Sequence, residues 1–353
     1  MVTRGILDPG QHLRYLPVMI PRVSILLPVF NSEETLTECL DSLLSQTFGD
    51  FEIIAVDDGS TDGSAGVLLD YQRRDRRIKV IHIAHSGIVT ALQTAAGLSS
   101  APCLARMDAD DISLPRRLEK QVTLLDRRPD IALAGCRVGE VPGFPIRGGY
   151  AMYFQWVNAL IEPDQIAGNL YVESPLPHPT VMFRREPYLD VGGYQDHGWP
   201  EDYDLWLRMH LAGYRFAKVP EELLLWRDHG ARASRRNHRY DVEAFFRAKA
   251  YYLAQGPLKG VGEVVICGAG KTARRHAAHL TGYGIRIAAY VDVDPGKIGR
   301  FMAGVPVVGI DDLTAFAGRI ILSFVARWGA REAIRDRLNA MGKIEGKDYL
   351  CCA

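Results

Sequence analysis

The feature that most constrains this chain is a series of short apolar segments, each followed by a helix-patterned stretch, beginning at Val23. Val23-Ser24-Ile25-Leu26-Leu27-Pro28-Val29 is short and almost wholly apolar, as expected for a strand covered on both faces. Phe51–Val56, Ile78–Ile83 and Cys103–Met107 read the same way, with helical segments at Ser64–Arg74 and Ile88–Leu98 between them. Asn31 is placed to cap the first helix, with Glu34 as its capping-box partner. That helix carries Leu36, Cys39, Leu40, Leu43 and Leu44 on one face. Strand–helix alternation of this kind builds an α/β fold around a parallel sheet with right-handed crossovers.

Composition narrows the class further. At roughly 100–200 residues per domain, 353 residues suggest two domains. Lys and Arg together number 42, against 42 Asp and Glu, so the formal charge is zero. A nucleic-acid partner, whose phosphates need a surplus of basic residues, is therefore not expected. No apolar run approaches the ~18 residues of a membrane span, so membrane contact would be peripheral at most. Met1 to Pro21 has one early Arg4 and is interrupted by Asp8, Pro9, Gly10 and His12, a poor secretion signal. The six cysteines, Cys39, Cys103, Cys136, Cys267, Cys351 and Cys352, contain no C-x-x-C pair and read as reduced core residues of a cytoplasmic protein.

The expected divisions are an N-terminal extension (1–22), a first α/β domain (23–234), a connecting helix and linker (235–258), and a small second α/β domain (259–353). Between Gly135 and Pro179 the pattern weakens around an aromatic stretch, Tyr150 to Trp156. A strand at Thr180–Phe183 leads to a helix that starts near Pro200-Glu201-Asp202.

In open α/β sheets, ligands sit outside the carboxyl ends of the strands. Two strands, read as neighbours, end here in Asp57-Asp58 and in Asp108-Ala109-Asp110-Asp111. That many carboxylates at one rim are costly without a compensating cation or hydrogen-bond donors. A hard divalent ion shared with a diphosphate suits them. Either motif alone would pass for turn and cap residues; the two together on one sheet point to a site.

Pro28-Val29-Phe30-Asn31, Val56-Asp57-Asp58-Gly59-Ser60-Thr61-Asp62-Gly63-Ser64, Met107-Asp108-Ala109-Asp110-Asp111 and the later Glu201-Asp202-Tyr203-Asp204-Leu205-Trp206-Leu207-Arg208 resemble the family 2 glycosyltransferases, from about Val23 to Arg235. The resemblance implies the GT-A fold and transfer of a sugar, with inversion, from a nucleotide-diphosphate donor (a UDP-sugar foremost) to a hydroxyl of a glycan or lipid-linked acceptor. It implies that Pro28, Phe30 and Glu33 border the base and ribose, that Asp58 bonds the uracil or ribose with Asp57 in support, and that Asp108 lies by the ribose and donor sugar. Asp110 would bind Mn²⁺ or Mg²⁺. Asp202 resembles the catalytic base, with Glu201 as its neighbouring alternative. At the first turn of a helix, such a carboxylate is expected to stay ionised near neutral pH.

The stretch Trp226-Arg227-Asp228-His229-Gly230-Ala231-Arg232-Ala233-Ser234-Arg235-Arg236 resembles the end of the family's catalytic domains. There His229 becomes a further metal ligand and Arg235 a diphosphate contact. His178, before Pro179, reads either as an acceptor-side group or as a loop hydrogen-bonder. Gln93-Thr94-Ala95-Ala96-Gly97 stands where many members carry an Asn-x-Gly pattern, and Arg106 is a charge in an apolar strand that either pairs with a rim carboxylate or sits at an edge.

In the second domain, Gly268-Ala269-Gly270 follows a strand and Asp292 closes the next one, a relaxed dinucleotide-binding pattern. With Tyr290-Val291-Asp292-Val293-Asp294-Pro295 it resembles the Rossmann-like domains of sugar acyltransferases, which implies nucleotide-sugar binding or subunit contact, including association of copies into a homo-oligomer. Two rivals to the transferase reading are a nucleotidyltransferase and an NAD-dependent sugar-modifying protein. The first would need a glycine-rich basic loop after the first strand, where this chain has Pro28-Val29-Phe30-Asn31.

Overall fold

The computed structural model describes residues 3–6, 14–17, 20–146, 148–230, 232, 237–327 and 329–353. A two-stranded antiparallel hairpin, β1 (Thr3–Ile6) and β2 (Arg14–Pro17), precedes the first domain. The first domain then runs β3 (Val23–Val29), α1 (Glu33–Leu44), β4 (Phe51–Asp57), α2 (Ser64–Arg74), β5 (Ile78–His82), α3 (Ile88–Leu98), β6 (Cys103–Arg106), β7 (Ile112–Ser113), α4 (Arg117–Arg127) and β8 (Ile131–Glu140). It continues through α5 (Gly149–Ala159), α6 (Pro163–Asn169), β9 (Met182–Arg184), α7 (Arg185–Asp190), α8 (Glu201–Leu211) and β10 (Arg215–Trp226).

Among the described residues these strands form an eight-stranded sheet in the order β5-β4-β3-β6-β9-β8-β10-β7. The first four are parallel, whereas β9 runs antiparallel to both β6 and β8. The sheet is therefore mixed rather than purely parallel. Alternation along the strands feeds two cores: Leu26, Ile54 and Leu104 face α3, while Ile25, Leu27, Ile53 and Ala55 face the side of Leu36, Leu40 and Leu118.

The chain moves outward from β3 to β5 and then returns by α3 to the other flank of β3. That reversal opens a crevice at the carboxyl ends of β3, β4 and β6. The two acidic strands are not neighbours: β3 lies between β4 and β6, so the Asp57 and Asp108 clusters stand one strand apart with Pro28 and Phe30 between them.

After a short 3₁₀ turn at His238–Tyr240, the connecting helix α9 spans Val242–Gln255, starting later than the sequence suggests. It is no exposed tether, because Phe246, Ala248, Lys249, Tyr252 and Leu253 are buried. The second domain consists of β11 (Glu263–Cys267), α10 (Lys271–Ala277), β12 (Arg286–Val291), β13 (Phe301–Met302), β14 (Val305–Val308), β15 (Ile320–Ser323), α11 (Ala330–Ala340) and β16 (Tyr349–Cys351). Its sheet order is β13-β14-β12-β11-β15-β16, parallel except for the β13–β14 hairpin. No helix among the described residues is long and apolar enough to cross a membrane, and all six cysteines are free and buried.

Candidate active site

Three clusters meet the crevice. The first lies between the start of α1 and the loops after β4 and β5. Asn31, with φ of 48°, does not cap α1; its side-chain oxygen accepts the Thr61 N–H at 2.8 Å, and Ser32 takes the cap position. Glu33 accepts the Gly63 N–H at 2.9 Å, fastening α1 to that loop. Phe30, 44% exposed, stacks on the His85 ring at 4.2 Å and 20°, an aromatic platform beside Pro28. Asp58 is buried and accepts the Ser86 and Gly87 N–H groups at 2.7 and 2.9 Å. Asp57 accepts the Ser60 N–H at 3.0 Å and lies 2.9 Å from His82 Nδ1. Burial raises its carboxyl, but the bonds from Ser60 and His82 outweigh that and hold it below the usual range.

The second cluster is the acidic turn after β6. Carboxylate oxygens of Asp108, Asp110 and Asp111 lie within 4.8 Å of one another. Asp111 is fully buried; its Oδ1 accepts the Arg227 N–H at 2.9 Å, while Oδ2 has no hydrogen-bond partner. Burial, then the charges of Asp110 and Asp108 set against Arg232, push its carboxyl well above the ordinary range. Asp110 lies 2.9 Å from His229 Nε2. Although burial raises it, His229 and Arg232 keep it below its ordinary value. Arg232 reaches Asp108 at 3.6 Å and Asp111 at 3.8 Å, with its guanidinium 4.6 Å from the Trp226 ring centre.

Three hard carboxylate donors, one with an orphaned and sealed oxygen, together with an adjacent imidazole, fit a divalent Mn²⁺ or Mg²⁺. The structure thus brings Asp110 and His229 together as expected, and adds Asp111. Arg235 lies outside the described residues.

The third cluster is the N-terminus of α8. Glu201 is sealed in the protein, whereas Asp202 is partly open. The expectation that a first-turn carboxylate stays ionised fails for Asp202. Enclosure, then the charge of Glu201, pushes its carboxyl up to about 8, against weaker opposition from the Tyr203 N–H and Arg106. Burial raises the Glu201 carboxyl, but hydrogen bonds from His178, its own backbone N–H and Tyr240 outweigh that and hold it below its ordinary value.

Arg106 links the second and third clusters. It is buried and ion-paired to Asp108, so the pairing alternative holds. Burial works against its charge, but Asp108 overrides that, with Tyr194 and Glu201 adding to it. A second buried cation, Arg117, donates to the Arg106 carbonyl at 2.8 Å and the Pro179 carbonyl at 2.9 Å, fixing the strand end beneath the acids.

Residues that sequence reasoning missed come from distant segments. Tyr240 and Tyr194 support Glu201 and His178, and Tyr153 of α5 feels the charges of both Asp202 and Arg232. The aromatic stretch at 150–156 was the only trace of the last. Gln93 of α3 donates its side-chain amide to the Tyr194 carbonyl at 2.8 Å.

In the second domain, Gly268 has φ of 106° and the Ala269 N–H donates to Asp292 at 3.1 Å, with Lys297 at 2.9 Å on the same carboxylate oxygen. The structure therefore brings the Gly268–Gly270 loop and Asp292 together, and burial of Asp292 is outweighed by bonds from Asp294, Lys297 and Ala269 that hold its carboxyl low. The helix that follows has only seven residues.

A mixed sheet that opens at β3/β6, with an acidic turn at its carboxyl rim, defines a GT-A glycosyltransferase. Residues 24–192 match the family model "Glycosyl transferase family 2". The amylovoran biosynthesis glycosyltransferase AmsE of Erwinia amylovora is 30% identical over 57% of this chain and 74% of its own length. The O-antigen biosynthesis glycosyltransferase WbnJ of Escherichia coli is 28% identical over 67% of this chain and 89% of its own. Among solved structures, S. aureus TarS in complex with UDP-GlcNAc matches with a TM-score of 0.54 at 17% identity, over 74% of this chain and 71% of that one. The mannosyltransferase PcManGT from Pyrobaculum calidifontis, in complex with GDP-Man and Mn²⁺, reaches 0.50 at 19% identity, over 76% and 70%. This chain belongs to glycosyltransferase family 2, and it is a glycosyltransferase.

Proposed function

We propose that the protein is a metal-dependent, inverting transferase that moves a sugar from a nucleotide-diphosphate donor, a UDP-sugar foremost, to a hydroxyl of a growing polysaccharide or related glycan. The observation that carries this reading is the Asp108-Asp110-Asp111 cluster with its unpartnered buried oxygen, joined through Arg106 to the Glu201-Asp202 helix start. The roles of AmsE in amylovoran biosynthesis and of WbnJ in O-antigen biosynthesis support a glycan acceptor, and the UDP-GlcNAc and GDP-Man complexes of the structural neighbours support a nucleotide-sugar donor.

In this reading Phe30 and His85 offer the base a stacking surface, Pro28 and Glu33 border it, and Asp57 and Asp58 order the loop beside the ribose. Asp108, Asp110, Asp111 and His229 would hold Mn²⁺ or Mg²⁺, which supplies Lewis-acid neutralisation of the departing diphosphate. Asp202 takes the acceptor hydroxyl's proton as that oxygen bonds to the anomeric carbon. The anomeric carbon–oxygen bond breaks at the same time, and its electron pair leaves with the diphosphate. A single displacement inverts the anomeric centre. Arg235 remains a candidate diphosphate contact, and Gly268, Gly270 and Asp292 a candidate nucleotide contact of the second domain.

Incubation with UDP-sugars, acceptor glycans and Mn²⁺ should release UDP. Asp110→Ala and Asp202→Asn should each abolish release, the first also removing the extra thermal stability that donor and Mn²⁺ together confer by mass action. Full turnover by both variants would overturn the assignment.

A further inference from the structure

Glu201 and Asp202 are consecutive but differently placed. Glu201 is 1% exposed. Its carboxylate accepts the Tyr240 hydroxyl at 2.9 and 3.0 Å and lies 3.5 Å from His178 Nδ1. His178 Nε2 in turn meets the Tyr194 hydroxyl at 2.7 Å. Burial presses His178 down to about 4, so the ring is neutral at physiological pH. It can donate from Nδ1 to Glu201 while accepting from Tyr194 at Nε2. A carboxylate enclosed in this way has no path to an acceptor hydroxyl, and its buried charge persists only because these donors offset desolvation.

Tyr240 is not part of the glycosyltransferase sheet. It sits in the 3₁₀ turn that leads into α9, and the preceding residue, Arg239, donates to the Trp199 carbonyl at 3.1 Å and to Asp196 at 2.7 Å. The junction between the domains is therefore pinned at two points, Asp196 and Trp199, to the loop that enters α8.

Taking Asp202 as the base, we propose that Glu201 is a positioning residue: a fixed negative charge, clamped by His178 and by Tyr240 from the interdomain junction, that makes Asp202 a stronger proton acceptor and does not itself touch the substrate. From neighbouring elements Arg106 of β6 acts on Asp202, and Tyr153 of α5, Tyr194, Tyr203 and Tyr240 are the titratable groups that feel its charge. Arg106 is the cation among them and opposes Glu201, so the charge balance at Asp202 is set by the contest between these two. Enclosure is the first cause of the elevated proton affinity of Asp202, and the Glu201 charge adds to it more than Arg106 takes away.

The test is the pH profile of transfer at saturating donor. In the wild type, kcat/KM for the acceptor should rise with pH as Asp202 deprotonates. Glu201→Gln keeps the shape and removes the charge, so the rising limb should move down by about one pH unit or more, with a lower plateau and unchanged donor Kd. Glu201→Asp, which restores the charge, should return the limb towards its wild-type position. A lowered plateau with an unmoved limb in Glu201→Gln would reduce Glu201 to a structural part and overturn the proposal. If Glu201→Gln does not fold, the comparison passes to Asp202→Asn. The wild type should lose stability relative to that variant between pH 5 and pH 8, and parallel curves would equally overturn it. Full turnover in Asp202→Asn would instead overturn the base assignment on which the proposal rests.

Discussion

Arg106 sits 2% exposed where β6 delivers Asp108 to the rim, and its charge is shared between that carboxylate and the Glu201-Asp202 pair. Removing one partner of a buried ion pair leaves the other uncompensated, so Arg106→Met should cost about 3–5 kcal/mol in chemical denaturation. Arg106→Lys should recover only part of that, because an ammonium lacks the planar fork. His178 gives a pH signature of opposite sign to that of Asp202. Its folded value of about 4 lies below the ordinary imidazole value, so between about pH 4 and 6.5 the unfolded chain binds more protons. Stability then falls as pH drops through that window, by up to about 3 kcal/mol. His178→Asn should flatten this acid slope in thermal melts; an unchanged slope would show that His178 is not buried neutral. The acids of the site were legible because Asp-Asp-Gly-Ser and Asp-x-Asp-Asp occupy consecutive positions at strand ends. Tyr240, Tyr194 and Tyr153 were not, since each reaches the site across a long stretch of chain and none belongs to a local pattern.

At the scale of elements, β3, β4 and β6 and helices α2 and α3 follow from largely apolar runs and helical periodicity, because a strand buried on both faces admits little else; β5, at the sheet edge with Lys79 and His82 exposed, was legible from Ile78, Val80 and Ile81. The pair β8 and β10, which completes the sheet, left no such trace. β8 contains Gly135, Gly139 and Arg137, while β10 is broken by Pro220-Glu221-Glu222, where its register against β8 shifts between Val219 and Glu222. The antiparallel insertion of β9 is likewise decided by packing rather than by its three residues. The turn after β4 shows how closely these elements are fitted. Gly59 has φ of 73°, and a Cβ there would stand 2.7 Å from the His85 backbone nitrogen. Gly59→Ala should therefore destabilise the fold by about 2 kcal/mol or more and displace the loop that stacks His85 on Phe30. The same variant should weaken donor binding in calorimetry, whereas Gly66→Ala, on the α2 surface with nothing within 4 Å of its added methyl, should leave donor binding intact.

The whole molecule behaves, on its packing, as one cooperative body. A single apolar cluster runs from Leu26 of the central strand through Trp206 of α8 and Phe246 and Leu253 of α9 to Leu322 and Cys352 of the second domain. Val172 of the first domain belongs to the core on the far side of the second sheet. Lys249 of α9 is buried at the junction, donating to the Val172 carbonyl at 2.7 Å and the Cys352 carbonyl at 3.3 Å, and Arg335 of α11 reaches the Gly168 carbonyl of α6 at 3.3 Å. Independent domains leave few contacts across their boundary; here a helix shared by both supplies core to each and also anchors the turn carrying Tyr240. Calorimetry of the full chain should accordingly show one transition, with donor and Mn²⁺ raising all of it, since ligand bound at one end stabilises every residue that unfolds with it. A chain ending at Gln255 should expose the Phe246, Lys249 and Leu253 side of α9 and fail to give a cooperative melt or bind donor. Two separable transitions, of which donor shifts only one, would mean that the second domain is merely appended and that Tyr240 is held by the first domain alone.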